Sequence, residues 1–123
     1  MSKTFSITDL AKEYDITSRT IRHYEELGLL SPLRKGTQRV FNMGDHVRLS
    51  LILRGKRIGF SLKEISEIIT MYYQPEGEKQ QTSFLLNKVE ERRQKLIIRQ
   101  LDIEKMLLEL DDIENKLKQQ PIY

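Results

Sequence analysis

The segment from Thr17 to Tyr24 has the sequence Thr-Ser-Arg-Thr-Ile-Arg-His-Tyr. Thr17 is a good N-cap, so a helix is predicted from Ser18 to about Leu27. Ile21 and Tyr24 lie three residues apart and would share the buried side of this helix. The two arginines and the histidine would then face outward. The segment therefore predicts a short helix with one apolar face and one basic face.

A second short helix is predicted just before this one, over Thr8 to Tyr14, where apolar residues recur at helical spacing. Two short helices joined by a tight turn form the helix-turn-helix pattern, whose second helix enters the major groove of DNA. Arginine can bind guanine edges or phosphates, and hydroxyl and imidazole groups can bind phosphates. The candidate DNA-binding residues on this helix are Ser18, Arg19, Arg22, His23 and Tyr24. The alternative is a solvated basic face on a structural helix pair.

Two further basic clusters follow in the first 60 residues. The stretch from Leu33 to Phe41 is predicted to form a small β-hairpin, or wing, with a basic tip at Lys35-Gly36-Thr37. Such a tip could bind the DNA backbone or enter the minor groove, although an ordinary charged turn would look the same. The segment Arg54-Gly-Lys-Arg57 ends a third predicted helix, where basic residues also complement the helix dipole.

The third helix is predicted from about Gly44 to Arg57, with Val47, Leu51 and Arg54/Ile58 along one side. Leu49, Ile52 and Leu53 widen this apolar face. The run Ser61-Leu-Lys-Glu64 is a capping box that opens a fourth helix. After it, the polar stretch around Pro75 and Gly77 is the best candidate for a hinge.

A long helix is predicted from about Ser83 to Gln119, because one set of positions repeats in alternating steps of four and three. The stripe would extend about 50 Å, which a compact head cannot cover, so a homodimer follows by elimination. The apolar positions of this predicted dimer interface are Leu85, Val89, Leu96, Ile103, Met106, Leu110, Ile113 and Leu117. Arg92 and Arg99 are the two polar interruptions and are candidates for fixing the register.

The predicted organisation is a DNA-binding head over residues 1–75, a hinge over 76–82, a dimerisation helix over 83–119 and a tail over 120–123. Residues 1–60 carry 11 Lys and Arg against 6 Asp and Glu, whereas residues 61–123 carry 10 against 12. A basic first half suits a polyanionic partner.

Several function classes are disfavoured by composition. The chain has no cysteine, which excludes thiolate metal sites and catalytic thiols. Its two histidines, His23 and His46, form no ligand motif, and no arrangement typical of a catalytic site is present. We therefore predict no enzymatic activity, no metal and no catalytic residue. No stretch approaches a membrane span or a signal peptide, so we expect a soluble, cytoplasmic protein.

The chain resembles the MerR family of bacterial transcription regulators over essentially its whole length. The matching elements are Ile7-Thr-Asp-Leu-Ala11, Thr20-Ile-Arg-His-Tyr-Glu25, Gly28-Leu-Leu, Gln38-Arg-Val-Phe41 and Gly55-Lys-Arg-Ile-Gly-Phe60 followed by Ser61-Leu-Lys-Glu-Ile65. The resemblance implies a mainly α fold: a winged helix-turn-helix head and a long helix that pairs two protomers as an antiparallel coiled coil. It also implies a palindromic promoter operator, whose DNA is deformed for RNA polymerase.

Roles for individual residues follow from the same resemblance. Arg19 and Arg22 would be contacts of the recognition helix, while His23 and Tyr24 would touch the DNA backbone. Three wing residues, Lys35, Gln38 and Arg39, would bind DNA, and Lys56 would bind a phosphate. The wing is shorter than is common in the family, and Gln38 stands where many members have tyrosine.

The resemblance also bears on the effector. Metal-sensing members use cysteine ligands, which this chain lacks. The head and the hinge look most like the branch that controls branched-chain amino-acid and fatty-acid breakdown, which implies an acyl-CoA-type effector. Tyr72 and Tyr73 could line its pocket, or they could simply pack the hinge.

Two other functions remain open from the sequence. MerR-like heads on helical tails also resemble chaperone modulators that bind other proteins. An architectural, excisionase-like DNA binder would show little preference for a palindrome. The presence of Arg19, Arg22 and a basic wing together favours the operator-specific regulator.

Overall fold

The computed structural model describes residues 3–72 and 78–120, without the side chains of residues 72 and 78–81. It is mainly helical and has one small sheet. The elements are α1 (Ile7–Tyr14), α2 (Ser18–Glu26), β1 (Leu33–Lys35), β2 (Gln38–Val40), α3 (Met43–Arg57), α4 (Leu62–Tyr72) and α5 (Glu78–Gln119). The chain forms two compact units, residues 1–81 and 82–123. No helix within the described ranges is both long enough and apolar enough to cross a membrane.

Local capping sets the helix starts, and the sequence predicts the caps at Thr17 and Ser61. The Ser6 hydroxyl accepts a hydrogen bond from the Asp9 amide at 3.0 Å and begins α1, and the Thr17 hydroxyl accepts one from the Thr20 amide at 3.1 Å and begins α2. The Ser61 hydroxyl accepts from the Glu64 amide at 3.1 Å and begins α4. These side chains satisfy amides that have no partner inside the helix.

The helix-turn-helix and the wing are both confirmed. Asp15 ends α1 in the left-handed region, with φ of 54°, and α2 starts three residues later at Ser18. In the wing, β1 and β2 pair antiparallel with Leu33 opposite Val40 and Lys35 opposite Gln38. Gly36 turns the chain between them with φ of 65°, a conformation that other residues adopt only with strain.

The core of the head joins all its helices and the end of the wing. Phe41 follows β2, is fully buried, and exchanges two backbone hydrogen bonds with Phe5 at 2.8 and 2.9 Å. This pairing fastens the wing to the N-terminal segment. The buried apolar residues are Leu10, Ile21, Tyr24, Leu29, Leu30, Phe41, Leu49, Ile52, Phe60, Ile65 and Ile69.

Helix α3 buries only part of the broad apolar face that the sequence predicts. Leu49 and Ile52 are fully buried, whereas Val47 and Ile58 are 42% and 49% exposed. This helix carries apolar residues around its circumference, so periodicity cannot decide which side packs inward. Leu27 is likewise exposed, although helical spacing from Ile21 and Tyr24 predicts it on the buried side of α2. The helix ends at Glu26, and Leu27 is its C-cap.

The long helix begins at Glu78, five residues before the predicted start at Ser83. The segment Glu78-Lys-Gln-Gln81 contains good helix formers and neither glycine nor proline. Its polar composition predicted a hinge, but polar residues of this kind also form helix. Residues 73–77, with Tyr73, Pro75 and Gly77, lie outside the described residues. The predicted division into head, hinge (76–82), helix and tail stays a prediction.

Candidate nucleic-acid interface

Helix α2 presents a basic surface because two of its side chains are anchored in the core. Ile21 and Tyr24 are buried. Arg19, Arg22 and His23 are exposed on the other side of the helix, as the sequence predicts. This arrangement offers two guanidinium groups and an imidazole to a partner.

The outward residues of α2 line two adjoining shallow concavities. One is lined by Arg19, Arg22, His23 and Glu26. The other is lined by Arg19, Thr20, His23, Tyr24, Lys56 and Leu62. Lys56 comes from the last turn of α3, so the fold brings a cation from a separate helix beside the recognition helix. Three basic groups around one concavity suit a phosphate of a nucleic-acid backbone.

Two of the predicted residues on α2 are less accessible than the rest. Ser18 is half-buried in the first turn, and Tyr24 is only 6% exposed. Burial raises the pKa of the Tyr24 hydroxyl above its ordinary value. The ring of Tyr24 is mainly a core side chain, and it reaches the surface only at the concavity next to Lys56. Contact of these two residues with DNA stays a prediction.

The wing exposes two of its three predicted contact residues. Lys35 and Gln38 are exposed and face each other across the strands, on either side of the turn. Arg39 is half-buried, and its Nε donates a hydrogen bond to Oε2 of Glu25. A guanidinium held in this way by a carboxylate is less available to a phosphate than an unpaired one.

Sequence reasoning did not find the role of Glu25. This residue lies in the last turn of α2 and binds both wing arginines: its Oε1 accepts from Arg34 Nη2 at 3.1 Å and its Oε2 from Arg39. Glu25 thereby ties the wing to the recognition helix. The only sequence signal for this role was an acidic residue within a basic segment. Its pairing with Arg34 and Arg39 depends on the tertiary fold.

The second histidine has a structural environment. His46 on α3 contacts two residues of α1: its Nε2 lies 2.9 Å from Oε2 of Glu13, and its Nδ1 lies 3.1 Å from the Tyr14 hydroxyl. Burial, with a smaller contribution from the charge of Glu13, raises the pKa of Tyr14. Among the described residues, no three His, Asp or Glu side chains come together as a metal site would require.

The predicted dimer interface forms one stripe on α5. Leu85 is half-buried, and the other seven positions are between 43% and 60% exposed in the single protomer: Val89, Leu96, Ile103, Met106, Leu110, Ile113 and Leu117. Exposed apolar residues in this number commonly mark an interaction surface. Their pairing with a second protomer stays a prediction.

Two family models match the chain. One, described as a MerR HTH family regulatory protein, covers residues 5–72, and the other, described as MerR, DNA binding, covers residues 47–113. The chain belongs to the MerR family. The first match spans the helix-turn-helix, the wing and α4, and the second runs from α3 into α5.

MerR-family relatives agree with this assignment. The chain is 31% identical to the HTH-type transcriptional regulator ZntR of Escherichia coli over 104 residues, covering 83% of this chain and 72% of ZntR. It is 32% identical to the HTH-type transcriptional regulator CueR of Salmonella typhi over 72 residues, covering 57% of this chain. The match spans about half (52%) of the length of that CueR.

A solved MerR-family structure has the same fold. The crystal structure of a MerR-family transcriptional regulator from Bacillus cereus matches with a TM-score of 0.76 and 28% identity. The match covers 98% of this chain and 87% of the other.

Proposed function

We propose that this protein binds double-stranded DNA sequence-specifically and regulates transcription as a homodimer on a palindromic promoter operator. The observation that carries the proposal is the basic surface of α2, where Arg19, Arg22 and His23 are exposed and Lys56 lines the same concavity as two of them. In a helix-turn-helix this is the helix that enters the major groove. The wing adds two more exposed side chains on the same head, the cation of Lys35 and the amide of Gln38.

The residues have different roles in this proposal. Arg22 reads a base or clamps a phosphate, since arginine binds guanine O6 and N7 bidentately. Arg19, His23 and Lys56 bind the backbone and position the helix, and Lys35 binds the backbone from the wing. Arg39 has two roles in this proposal: it stabilises the wing through its ion pair with Glu25, and it contacts DNA.

The exposed apolar stripe of α5 supports a homodimer. A dimer with twofold symmetry suits a palindrome, because each head meets an identical half-site. Two heads held at a fixed separation would read two half-sites. We further propose that the dimer acts with RNA polymerase at the promoter and works in the cytoplasm. The names of the MerR-family relatives, which are transcriptional regulators, support the regulatory role and argue against an enzyme.

The experiment is fluorescence anisotropy of the protein on DNA from upstream of its own gene, with excess competitor DNA at physiological salt. We expect nanomolar, saturable binding of one dimer per site, which Arg22→Ala abolishes and Lys105→Ala, on α5, leaves intact. Binding no tighter than to random DNA would refute an operator-specific regulator. Equal affinity for palindromic and scrambled sites would favour an architectural DNA binder instead.

A protein-interaction module of the chaperone-modulator type is the second candidate, favoured only by the short helical architecture. The exposed cations on α2 disfavour it, because a protein-binding head has no need for them. If the wild-type protein binds its upstream DNA no more tightly than random DNA, and Arg22→Ala binds both equally well, the assignment moves to this class.

We also propose an acyl-CoA-type effector and membership of the branch that controls branched-chain amino-acid and fatty-acid catabolism. This proposal rests on the sequence of the head and hinge, and the suggested pocket near Tyr72 and Tyr73 lies outside the described side chains. Isothermal titration with short-chain acyl-CoAs tests it. We expect heat of binding and a change in DNA affinity, and the absence of both would refute it.

A further inference from the structure

The recognition helix α2 ends with two adjacent carboxylates whose surroundings differ. The Glu25 side chain is 21% exposed and accepts hydrogen bonds from Arg34 and Arg39 of the wing. Glu26 is exposed. Among the residues that the structure describes, no hydrogen bond or ion pair engages the Glu26 carboxylate. Glu25 therefore has a role inside the protomer, whereas the contacts of the protomer give Glu26 none.

Glu26 lies on the outward face of α2, together with the cations of that helix. Arg19, Arg22, His23 and Glu26 recur three and four residues apart, so they share one side of the helix. The four side chains line a single concavity. At 1.5 Å per residue, Glu26 lies about 6 Å further along the helix axis than Arg22. The surface of α2 that we assign to DNA therefore ends in a hydrogen-bond acceptor.

Two physical effects disfavour a carboxylate at this place. Glu26 is the last residue of α2, where the partial negative charge of the helix C-terminus repels an anion. On DNA the carboxylate would also approach a polyanion, which weakens binding. An i, i+4 pair of Arg22 with Glu26 would offset little, since the pair is exposed and a cation that precedes an anion is the weaker order. A carboxylate here favours binding only where it meets a hydrogen-bond donor on the DNA.

The major groove of DNA offers a carboxylate few donors. Only the N4 amine of cytosine and the N6 amine of adenine point hydrogens into it. The adenine amine lies beside the N7 acceptor of the same base, which repels an ionised carboxylate, because that group only accepts hydrogen bonds. The cytosine ring presents no acceptor there. A glutamate in the major groove therefore selects cytosine.

We propose that Glu26 is a specificity-determining residue and accepts a hydrogen bond from N4 of one cytosine in each half-site of the operator. The inference rests on the proposed function and names one base that the recognition helix requires. A thymine or guanine at this place would set an acceptor against the carboxylate and leave both groups without a donor, which accounts for their rejection.

The position of this cytosine follows from the spacing along the helix. Successive base pairs are about 3.4 Å apart, and Glu26 lies about 6 Å beyond Arg22. The cytosine should therefore lie about one or two base pairs from the base pair nearest to Arg22. The twofold symmetry of a palindrome repeats it in the other half-site.

Affinities for base-pair variants of the operator test the proposal. Each base pair of the half-site is replaced by the other three, symmetrically in both half-sites. Every duplex then competes with the labelled operator for the full-length protein in fluorescence anisotropy. For the wild type we expect one position per half-site where cytosine is preferred about tenfold over the other bases. Glu26→Gln should prefer adenine at that position, because a glutamine amide binds adenine N6 and N7 bidentately.

The same comparison separates sequence specificity from charge. Glu26→Gln removes a negative charge and so raises the affinity for all sequences by the same factor, which leaves the order of preference unaltered. A uniform rise with the cytosine preference intact would overturn the proposal and make Glu26 only a modifier of charge. The control Glu104→Gln makes the same substitution on the exposed surface of α5 and should leave the preference at every position unchanged.

A modified base tests the individual hydrogen bond. N4-methylcytosine still pairs with guanine but carries a methyl group where cytosine points its free N–H into the major groove. At the preferred position in both half-sites, it should weaken binding of the wild type about tenfold and leave binding of Glu26→Ala nearly unchanged. The effects of the two changes should thus not add, as expected for groups in contact. Equal losses of affinity in both proteins would contradict the hydrogen bond.

The outcomes distinguish this proposal from the function on which it rests. A wild-type protein that binds its upstream DNA no more tightly than random DNA refutes both. A wild-type protein that discriminates between operator variants, but shows no cytosine preference that Glu26→Gln removes, refutes only the role of Glu26. A change of preference from cytosine to adenine at one position per half-site supports both.

Discussion

Arg34 and Arg39 lie directly opposite each other in the two strands of the wing, and both donate hydrogen bonds to the carboxylate of Glu25. Like charges across a strand pair repel each other. A single carboxylate from α2 offsets this repulsion and holds the wing against the recognition helix. The wing and α2 would therefore meet DNA as one unit.

Removing the charge of Glu25 should loosen the wing. We expect Glu25→Gln to lower the free energy of unfolding by about 1 kcal/mol, since the pairs are only partly shielded from water. Hydrogen exchange at Lys35 and Gln38 should become faster, and operator affinity should fall. Glu26→Gln, one residue further on, serves as the control and should not change wing exchange. Unchanged exchange in Glu25→Gln would show that the Phe5–Phe41 pairing alone fixes the wing.

Lys56 should contribute to the affinity for DNA but not to its sequence specificity. If the dimer neutralises about eight phosphates, log K should fall with log salt with a slope of about −7. Lys56→Ala removes two of these contacts per dimer and should reduce the slope by about 2, weakening all sequences alike. Titrations at several salt concentrations on operator and random DNA measure this. A change confined to the operator would mean that Lys56 reads a base.

Charging the stripe of α5 should separate the protomers. Leu110→Glu places a carboxylate in the apolar stripe of α5. We expect sedimentation to show a monomer that no longer binds the operator tightly, and circular dichroism to show that the head stays folded. Leu108→Glu is the matched control, because Leu108 is also exposed but lies outside the stripe. A monomeric Leu110→Glu protein that still bound the palindrome tightly would break the link between dimer and operator.

Gly55 is required for the contact between α3 and α4. A Cβ at this position would lie 2.9 Å from Cγ1 and 3.1 Å from Cδ1 of Ile65, which is itself buried. Alanine should improve helix propensity by about 1 kcal/mol, but overpacking costs about 1–3 kcal/mol, so we expect a net loss of about 1 kcal/mol. Denaturant unfolding measures it. The double variant Gly55→Ala with Ile65→Val should regain part of the loss, and a purely additive result would point to another cause.

Alkaline pH should destabilise the head. Burial raises the folded-state pKa of both Tyr24 and Tyr14, so the folded chain holds these protons more tightly than the unfolded chain does. The stabilisation is complete below the unfolded pKa of about 10 and is lost as pH rises through the folded value. Unfolding at pH 8 to 11 should show this fall, and Tyr24→Phe should make it shallower. An equally steep fall in Tyr24→Phe would assign the effect to other groups.

Most local features of the head were predictable. Thr17 and Ser61 cap their helices through residues three positions away, which makes the signal visible in a few letters of sequence. The heptad stripe of α5 was visible for the same reason. The start of α5 was predicted too late, because a polar stretch without glycine or proline can be either helix or hinge.

The candidate interface was predictable residue by residue but not as an arrangement. Arg19, Arg22 and His23 face outward because Ile21 and Tyr24 must be buried, and helical periodicity alone gives that result. The accessibility of Arg39 could not be predicted, since it depends on Glu25 from another element.

The sequence by itself determined where α2 and α4 begin, which face of α2 is basic and which stripe of α5 is apolar, because each depends on contacts within one or two helical turns. Only the tertiary structure decided that α3 buries Leu49 and Ile52, that Lys56 lies beside Arg19 and His23, and that Glu25 holds the wing. These are contacts between residues far apart in the chain. They are set by how helices pack around a shared core, and periodicity within one segment carries no information about them.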